Sequence, residues 1–232
     1  MIFGSPPIVT NGLVLNLDAA NMKSYPRSGT TWRDLSGFNN SGSLINGPTF
    51  NSADGGSIVF DGTNDYVDLG LSNIATNTDF SYSHWVKTST TSLGFIYGAD
   101  ACGNSGGHYS FINASGSFGF RVIGDTSVII NSLQTGYNDN KWHYVSFTKN
   151  SSIISIYLDG SLSITGSTPA NISTTRYNQY IGIRGGTLTN PASCGTGYYL
   201  GNLAALSVYN KTLTYTEIQQ NYNAQKSRFN LQ

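Results

Sequence analysis

The sequence predicts an all-β protein with one short C-terminal helix. Three observations predict this class. Short apolar or alternating runs recur along the chain, Gly, Asn, Asp and Ser separate them, and only one segment has the spacing of an amphipathic helix. The chain has 232 residues, a length typical of one β-sandwich or β-barrel domain, and 38% of them are hydrophobic, which is enough apolar surface for a core.

Thirteen runs have the length and composition of strands. Because side chains alternate between the two faces of a strand, one face of Phe80–Lys87 carries Phe80, Tyr82, His84 and Val86. The predicted strands are Gly12–Leu17, Ser57–Phe60, Tyr66–Leu69, Phe80–Lys87, Leu93–Tyr97, His108–Asn113, Ser117–Ile123, Ser127–Asn131, Lys141–Lys149, Ile153–Leu158, Ser161–Thr165, Tyr180–Arg184 and Tyr198–Tyr209.

Two Asp-Gly pairs predict tight turns between these strands. Asp159-Gly160 suits a two-residue type I′ hairpin, because that turn needs φ > 0 at both central positions. Asp61-Gly62 opens a turn that ends at Asp65, and we expect it to join its two strands in a similar way.

The predicted helix lies near the C-terminus and covers about residues 214–226. Thr214 and Glu217 fit a capping box, with Thr214 at the N-cap and Glu217 at N3. Leu213 and Ile218 are spaced for the hydrophobic staple that accompanies such a box. The side chains expected to follow one helical face against the sheet are Ile218, Tyr222 and Phe229.

The chain has no Pro-rich linker, no run of like charges and no internal repeat. We therefore expect a single domain over residues 12–232, preceded by an N-terminal extension of residues 1–11. Ser36–Asp54 is rich in Ser, Asn and Gly, and it is expected to be the most irregular part of the domain.

Charge is scarce and balanced. Only 10% of the residues are charged, with 12 basic and 12 acidic side chains, whereas Ser, Thr, Asn and Gly supply 104 positions. Ordinary domains carry about 25% charged residues, so hydroxyl and amide groups are expected to cover this surface. Balanced charge argues against nucleic acid, which needs a concentrated basic face. No apolar run approaches the roughly 20 residues of a membrane-spanning helix, so membrane insertion is not expected.

Ordered segments across almost the whole chain resemble one superfamily. They are Gly12–Asn21, Thr31–Gly37, Gly56–Val67, Phe80–Lys87, Lys141–Thr148, Ile156–Gly160, Gly201–Asn210 and Leu213–Tyr222. They are similar to the laminin-G-like (concanavalin A-like lectin/glucanase) jelly-roll superfamily, particularly its compact variants in bacteriophage structural proteins. The resemblance implies two stacked antiparallel sheets with Greek-key connections and buried positions for Trp85 and Trp142. It implies little about function, because this fold hosts lectins, glycosidases, adhesion modules and structural parts.

The acidic residues argue against glycoside hydrolysis, which needs two carboxylates beside the scissile bond. The glucanases of the superfamily carry two Glu residues and an Asp on one strand, but this sequence has a single Glu, Glu217, which the helix cap uses. Gly103–Gly107 matches Gly-x-Ser-x-Gly by letter, yet it leads into a strand rather than a helix, so we interpret it as a chance match. His84, His108 and His143 are expected to be packing or strand-surface residues. We predict no enzymatic activity.

The resemblance also implies a calcium ion at the sandwich rim, since relatives hold Ca²⁺ there with Asp, Asn and backbone oxygens, the hard donors that this ion prefers. The densest oxygen cluster consists of Asp61, Asn64, Asp65 and Asp68, and a weaker second choice pairs Asp100 with Asn104. The alternative is turn formation, because Asp-Gly and Asn-Asp sequences bend the chain without a metal.

Glycan recognition would use an exposed aromatic ring as a stacking platform. The chain has 15 Tyr, and those expected on or near loops are Tyr97, Tyr109, Tyr137, Tyr177, Tyr198 and Tyr199. The alternative for each of them is a structural role in the core or on a sheet face.

Cys102 and Cys194 both lie in Gly-rich connections whose flanking strands are candidates for neighbours. A disulfide between them would stabilise the fold by about 4–5 kcal/mol in the chain-entropy model. The alternative is a pair of free thiols, as is usual in a reducing cytoplasm.

These observations favour a non-enzymatic structural protein of a bacteriophage virion, either a capsid decoration protein or a fibre or appendage component. The expected partners are other virion proteins, further copies of the chain and host-surface glycans. Ile2–Thr10 and the tail after Tyr222 are the segments expected to make these attachments. Because the first residues lack the basic and apolar regions of a secretory signal, assembly in the host cytoplasm is expected. The alternative function is a calcium-assisted, glycan-binding adhesin for host attachment.

Overall fold

A computed structural model describes residues 7–71, 79–100, 107–123, 127–168, 178–185, 195 and 197–231. This part of the chain contains sixteen β-strands and one α-helix, α1 (Tyr215–Gln225), which a 3-10 turn continues over Lys226–Phe229. The strands are β1 (Leu13–Asp18), β2 (Thr31–Trp32), β3 (Gly42–Ile45), β4 (Thr49–Asn51), β5 (Ser57–Asp61), β6 (Tyr66–Leu71), β7 (Phe80–Lys87), β8 (Gly94–Asp100), β9 (Gly107–Ile112), β10 (Phe118–Ile123), β11 (Ser127–Asn131), β12 (Trp142–Asn150), β13 (Ile153–Leu158), β14 (Ser161–Ser167), β15 (Asn178–Ile181) and β16 (Leu200–Tyr209).

The strands form two antiparallel sheets of eight strands each. Sheet A has the order β14-β13-β12-β7-β16-β5-β4, and β1 also pairs with β16. Sheet B has the order β11-β10-β9-β8-β15-β6-β3-β2. The predicted two-sheet sandwich is confirmed, and the strand patterns explain it because alternating side chains give each sheet one apolar inner face.

The predicted strands match the observed ones closely, and β7, β11 and β13 have the predicted bounds. The expectation for Ser36–Asp54 was wrong, because this segment contains β3 and β4. Gly42 explains the difference: a Cβ there would lie 2.4 Å from Cγ1 of Val67, so glycine allows β3 to approach β6 closely. Leu44 then joins the core, with only 6% of its surface exposed.

The two predicted Asp-Gly turns have different roles. Asp159 and Gly160 have φ values of 48° and 81° and connect β13 to β14, so the type I′ hairpin prediction is confirmed. The Asp61–Asp65 turn is not a hairpin, because β5 belongs to sheet A and β6 to sheet B. This turn carries the chain across the rim of the sandwich, from one sheet to the other.

The main core lies between the two sheets. The face predicted for β7 points inward, and so does the face of β13 that carries Ile154, Ile156 and Leu158. Large side chains from both sheets meet there, among them Phe80, Tyr82, Val86, Ile96, Phe118, Phe120, Phe147, Ile154, Ile156 and Leu158.

Helix α1 covers the outer face of sheet A. The predicted capping box is present: the Thr214 hydroxyl accepts from the Glu217 amide (3.3 Å), and the Glu217 carboxylate accepts from the Thr214 amide (2.9 Å). Leu213 and Ile218 are both buried, as the staple predicts. A second apolar cluster under the helix includes Trp85, Trp142, Tyr144, Tyr209, Ile218 and Phe229, so the two predicted tryptophans are buried on this outer face. No helix in the described residues is both long and apolar enough to cross a membrane.

Both segments expected to attach the protein to partners pack on the domain itself wherever they are described. The amide of Val9 donates to Oδ1 of Asn221 (2.8 Å), and its carbonyl accepts from the Tyr209 hydroxyl (3.1 Å). After the helix, Arg228 donates to Asp18 (2.8 Å) and the Phe229 ring packs against Trp85 and Trp142. Of these residues Val9 and Phe229 are buried in the second apolar cluster, whereas Pro7, Thr10 and Asn230 are exposed, so the expected attachment through these segments stays a prediction.

Candidate functional site

A cavity of about 610 Å³ opens at the rim of the sandwich; we call it the rim pocket. It lies where the turn between β5 and β6, the connection between β7 and β8 and the residues before β16 meet. Its lining combines one carboxylate, three hydroxyls, one tyrosine, two leucines and two glycines: Asp61, Thr63, Thr90, Ser92, Tyr198, Leu93, Leu200, Gly62 and Gly197.

Asp61 supplies the charge of this lining. Its Oδ1 accepts from the amide of Thr63 (2.7 Å) and more weakly from that of Asn64 (3.3 Å). The hydrogen bond from the Thr63 amide, together with those from Asn64 and Asp65, lowers the pKa of Asp61 below its usual value despite some desolvation. The side chain is exposed, so an ionised, acceptor-only group faces the open pocket at neutral pH.

Asp65 holds the backbone of Asp61 in place through a hydrogen bond. It is buried, with 4% of its surface exposed, and its Oδ2 accepts from the amide of Asp61 (3.1 Å). Burial raises the pKa of Asp65 above its usual value. This residue therefore fixes the backbone of the turn and does not line the pocket.

A run of hydroxyl residues holds the opposite wall, between β7 and β8. The Thr88 hydroxyl donates to the carbonyl of Leu200, which ties this wall to β16. Thr88 also accepts from the amide of Thr90 (3.0 Å), and Thr90 accepts from the amide of Ser92 (3.2 Å). Asn138 donates to the Thr90 carbonyl (2.8 Å). These local side-chain bonds fix the conformation of the loop, whose residues Thr90, Ser92 and Leu93 line the cavity.

Two glycines give the pocket its shape. A Cβ at Gly197, whose φ is 151°, would lie 2.5 Å from Cε2 of Phe95, so a larger residue would clash with the Phe95 ring. A Cβ at Gly62, whose φ is 75°, would lie 2.9 Å from Cβ of Leu200. Both positions therefore require glycine, for conformation and for space.

The six tyrosines predicted to bind glycans are distributed differently from the expectation. Tyr198 lines the rim pocket and is half-buried. Tyr97 and Tyr199 are fully buried, and Tyr109 is 4% exposed, so these three have no ring face open to a sugar and the predictions for them were wrong. Tyr97 donates instead to Gln179 (2.7 Å) within the core. Two further candidates remain: half-buried Tyr137, which packs on His143 with ring centroids 4.6 Å apart, and Tyr177, which lies outside the described residues.

The four predicted calcium ligands have turn functions in the structure. Asp61 and Asp65 bind backbone amides as described, and Asp68 accepts from the amide of Gly70 (2.7 Å). Asn64 is exposed in the same turn. Within the described part of the chain, no group of three or more His, Cys, Asp or Glu side chains is arranged to hold a metal ion. Calcium binding stays a prediction.

The other predicted site residues lie largely outside the described residues. This is true of Asn104, Cys102 and Cys194, and of the side chain of Asp100. The sequence prediction missed Thr63, Thr90, Ser92, Leu93 and Leu200 as lining residues. A signal was present for two of them, because Thr88–Ser92 is a run of five hydroxyl residues in a connection.

The three histidines have the structural positions expected. His84 and His108 are buried inside the sandwich with 1% exposure each, and burial lowers the pKa of both to about 3. His143 lies on β12 between two carboxylates, with Nδ1 3.0 Å from Asp159 and Nε2 3.1 Å from Asp139.

Comparison with known families decides the classification. Residues 61–219, about two thirds of the chain, match the family model described as the concanavalin A-like lectin/glucanases superfamily, of laminin G type. The chain belongs to this superfamily. The match includes both turn walls of the rim pocket and the first five residues of the helix. No curated protein is similar to this superfamily member in sequence.

Solved structures similar to this superfamily member include three toxin binding domains. The binding domain of Paraclostridial Mosquitocidal Protein 1 has a TM-score of 0.71 at 14% identity, with 93% of this chain and 52% of that chain covered. The botulinum neurotoxin serotype D binding domain has a TM-score of 0.67 at 17% identity (94% and 53% covered). The binding domain of botulinum neurotoxin DC, solved in complex with SialylT, has a TM-score of 0.68 at 15% identity (93% and 52% covered). The chain spans about half the length of these structures, and the likeness is one of fold.

Proposed function

We propose that this concanavalin A-like domain is a glycan-binding module and that the rim pocket binds a neutral saccharide. The observation that carries the proposal is the lining of the pocket, which places an ionised acceptor, hydroxyl groups and a tyrosine ring around one cavity. A sugar presents hydroxyls at its edge and C–H groups on its faces, so it needs both polar partners and an aromatic surface. Small-molecule sites typically combine an apolar wall with a few placed polar groups in this way.

The charge of the pocket supports a neutral ligand. Asp61 is the charged group of the described lining, and no Lys or Arg accompanies it there. A sialic acid carboxylate or a sulfate brought to about 4 Å from Asp61 would be repelled by roughly 1 kcal/mol in water and about 4 kcal/mol at an effective dielectric constant of 20. Neutral hexoses avoid this cost and can donate hydroxyl hydrogens to the carboxylate.

The experiment is a glycan array with the purified domain, followed by calorimetric titration of the best neutral ligand. Tyr198→Ala and Asp61→Asn are expected to weaken binding about tenfold each, which corresponds to about 1.4 kcal/mol. Leu133→Ala is the matched control, because Leu133 is 71% exposed and lies outside the pocket. An array without neutral binders, or ligands whose affinity is the same in all variants, would contradict the proposal.

Binding without hydrolysis is part of the proposal. Glu217 accepts from the Thr214 amide and forms an ion pair with Lys211, so the one Glu of the chain is engaged at the helix cap. Incubation of the array ligand with the domain is expected to leave the saccharide intact. The calcium-assisted form of the proposal differs in one respect: it requires that a chelator weaken binding.

We propose as a second candidate that the protein is displayed on a bacteriophage particle as a decoration, fibre or appendage component. The low charge and the abundance of Ser, Thr, Asn and Gly support this candidate, since such uncharged polar surfaces suit contact between neighbouring subunits. Mass spectrometry of purified virions, followed by a particle map, tests it. Absence of the chain from particles would contradict this candidate and leave the glycan proposal intact.

A further inference from the structure

A second, smaller cavity of about 290 Å³ lies at a different place on the surface; we call it the tyrosine groove. Its floor is the outer face of sheet A at the end of β12 and the start of β13. Its wall is the chain from Thr212 to Tyr215, which leads into α1. The rings of Tyr157 and Tyr215 both line it and form a stacked pair, with centroids 6.4 Å apart and planes inclined by 29°.

The tyrosine groove has the chemistry of a saccharide site. Its described lining is uncharged, and most of its polar groups are hydroxyls: Thr148, Ser155, Tyr157, Thr212 and Thr214, beside the amide of Asn150. Tyr215 is 51% exposed, so one face of its ring is open to solvent. Gln219 donates to the Tyr215 hydroxyl (2.6 Å), which holds the ring in this orientation.

The surroundings of the groove disfavour a peptide. Its floor strands, β12 and β13, are paired on both sides, so they offer no free backbone edge for an added strand. The lining contains no charge that would select a charged segment. The aliphatic side chains of the lining are Ile153 and the buried Leu213. Together they offer too little apolar surface for an amphipathic helix to pack against.

The tyrosine groove and the rim pocket lie at opposite ends of β7. At one end, Ser81 donates to the Lys211 carbonyl (2.9 Å) and accepts from the Leu213 amide (2.8 Å), which places the groove wall beside the start of the strand. At the other end, β7 runs into Thr88 and Thr90 of the rim pocket. A strand of eight residues spans roughly 26 Å.

We infer that the tyrosine groove is a second saccharide site, which binds a neutral saccharide chain along the aromatic surface that Tyr157 and Tyr215 form together. The domain then holds saccharide at both ends of the sandwich and can cross-link two chains. Binding in the groove rests on the groove's own residues and does not require that the rim pocket binds, whereas the cross-linking also rests on the proposed function of the rim pocket.

The test is NMR titration of the ¹⁵N-labelled domain with three neutral tetrasaccharides, namely cello-, chito- and maltotetraose. At least one is expected to shift the amides of Ser155, Thr214 and Tyr215. Tyr215→Ser is expected to weaken these shifts at least tenfold, whereas Leu162→Ala, an exposed neighbour outside the groove, leaves them unchanged. Tyr157→Phe keeps the ring and serves as a second variant if Tyr215→Ser unfolds the helix, with a smaller loss expected.

The outcomes separate this inference from the proposed function. Groove shifts that persist in Tyr198→Ala support a second site even if the rim pocket binds nothing. Beads coated with the same saccharide are expected to aggregate with the wild-type domain and not with Tyr215→Ser. Groove amides that respond to none of the three sugars at about 10 mM, which would half-saturate a site with a Kd of that size, overturn the inference. So do groove amides that respond only to an uncharged Ser/Gly peptide control.

Discussion

The imidazole of His108 in sheet B packs against the ring of Phe80 in sheet A, with ring centroids 4.5 Å apart. His84 lies on the same inner face as Phe80, and Tyr82 lies between the two histidines, with centroids 6.2 Å from His84 and 5.5 Å from His108. Neither nitrogen of either imidazole has a hydrogen-bond partner. Phe147 of β12 packs against His84, and Tyr97 of β8 packs against His108. The sandwich therefore holds two neutral histidines in an aromatic interior, without a described carboxylate to stabilise their charged forms.

This arrangement predicts acid destabilisation. The pKa of each histidine falls from 6.5 to about 3 on folding, so below pH 6.5 the unfolded chain binds more protons and stability is lost as the pH falls. At pH 5 the loss amounts to about 2 kcal/mol per histidine relative to pH 7. Urea unfolding of the wild-type domain and of His108→Phe, measured at pH 7 and pH 5, is the test. Equal losses in the two proteins would contradict the prediction.

The two carboxylates beside His143 predict the opposite pH dependence for its contribution to the unfolding free energy. Burial lowers the pKa of His143, but hydrogen bonds and charges from Asp159 and Asp139 outweigh burial and raise it above 6.5. Its stabilisation is therefore complete below pH 6.5 and is lost as the pH rises through the folded-state pKa. The difference in unfolding free energy between wild type and His143→Gln is expected to be larger at pH 6 than at pH 8.5. A difference independent of pH would show that the ion pairs contribute no net stability.

The packing of Phe229 predicts that the C-terminal segment stabilises the whole domain. Its ring lies 4.3 Å from that of Trp85 and 4.7 Å from that of Trp142, and it is 6% exposed. Phe229→Ala is expected to lower the unfolding free energy by about 3 kcal/mol, because it removes a buried ring and leaves a cavity. Denaturant unfolding followed by tryptophan fluorescence measures this loss. The control is Tyr215→Ala, which is half-exposed at the start of α1 and is expected to cost less than about 1 kcal/mol.

The close approach of Gly197 to Phe95 predicts that one methyl group added at position 197 weakens binding at the rim pocket. The added Cβ of Gly197→Ala would press on the Phe95 ring at a φ of 151°, so the residues before β16 must move. Saccharide binding at the rim pocket is expected to fall at least tenfold while the tyrosine groove is unaffected. Gly136→Ala is the control, since it also has a positive φ of 83° but no atom within 4 Å of the added Cβ. Equal effects of both variants would assign the loss to backbone strain alone.

Local signals in the sequence were enough for most of the fold. The capping box of Thr214 and Glu217 and the alternation of Phe80–Lys87 each depend on residues close together in the chain, and both are confirmed. The short strand β3 was missed because its pairing depends on Gly42 fitting beneath Val67, 25 positions away, which no local pattern records.

The site was less predictable because it depends on distant pairings. Asp61 was found as part of an oxygen-rich turn, but the wall at Thr88 lies beside Leu200, 112 positions later, through a hydrogen bond and the pairing of β7 with β16. The choice among tyrosines failed for a related reason. Tyr198 and Tyr199 are neighbours, yet the alternation of an extended chain turns one towards the cavity and the other into the core.

The most direct test of the central proposal is to map the bound saccharide onto the domain. The neutral ligand with the strongest array signal is titrated into ¹⁵N-labelled protein, and amide shifts are followed along the chain. The account predicts the largest shifts at Asp61–Thr63 and Thr90–Leu93, which lose their response in Tyr198→Ala. Shifts confined to other surfaces, or unchanged shifts in Tyr198→Ala, would contradict the assignment of the rim pocket as a glycan-binding site.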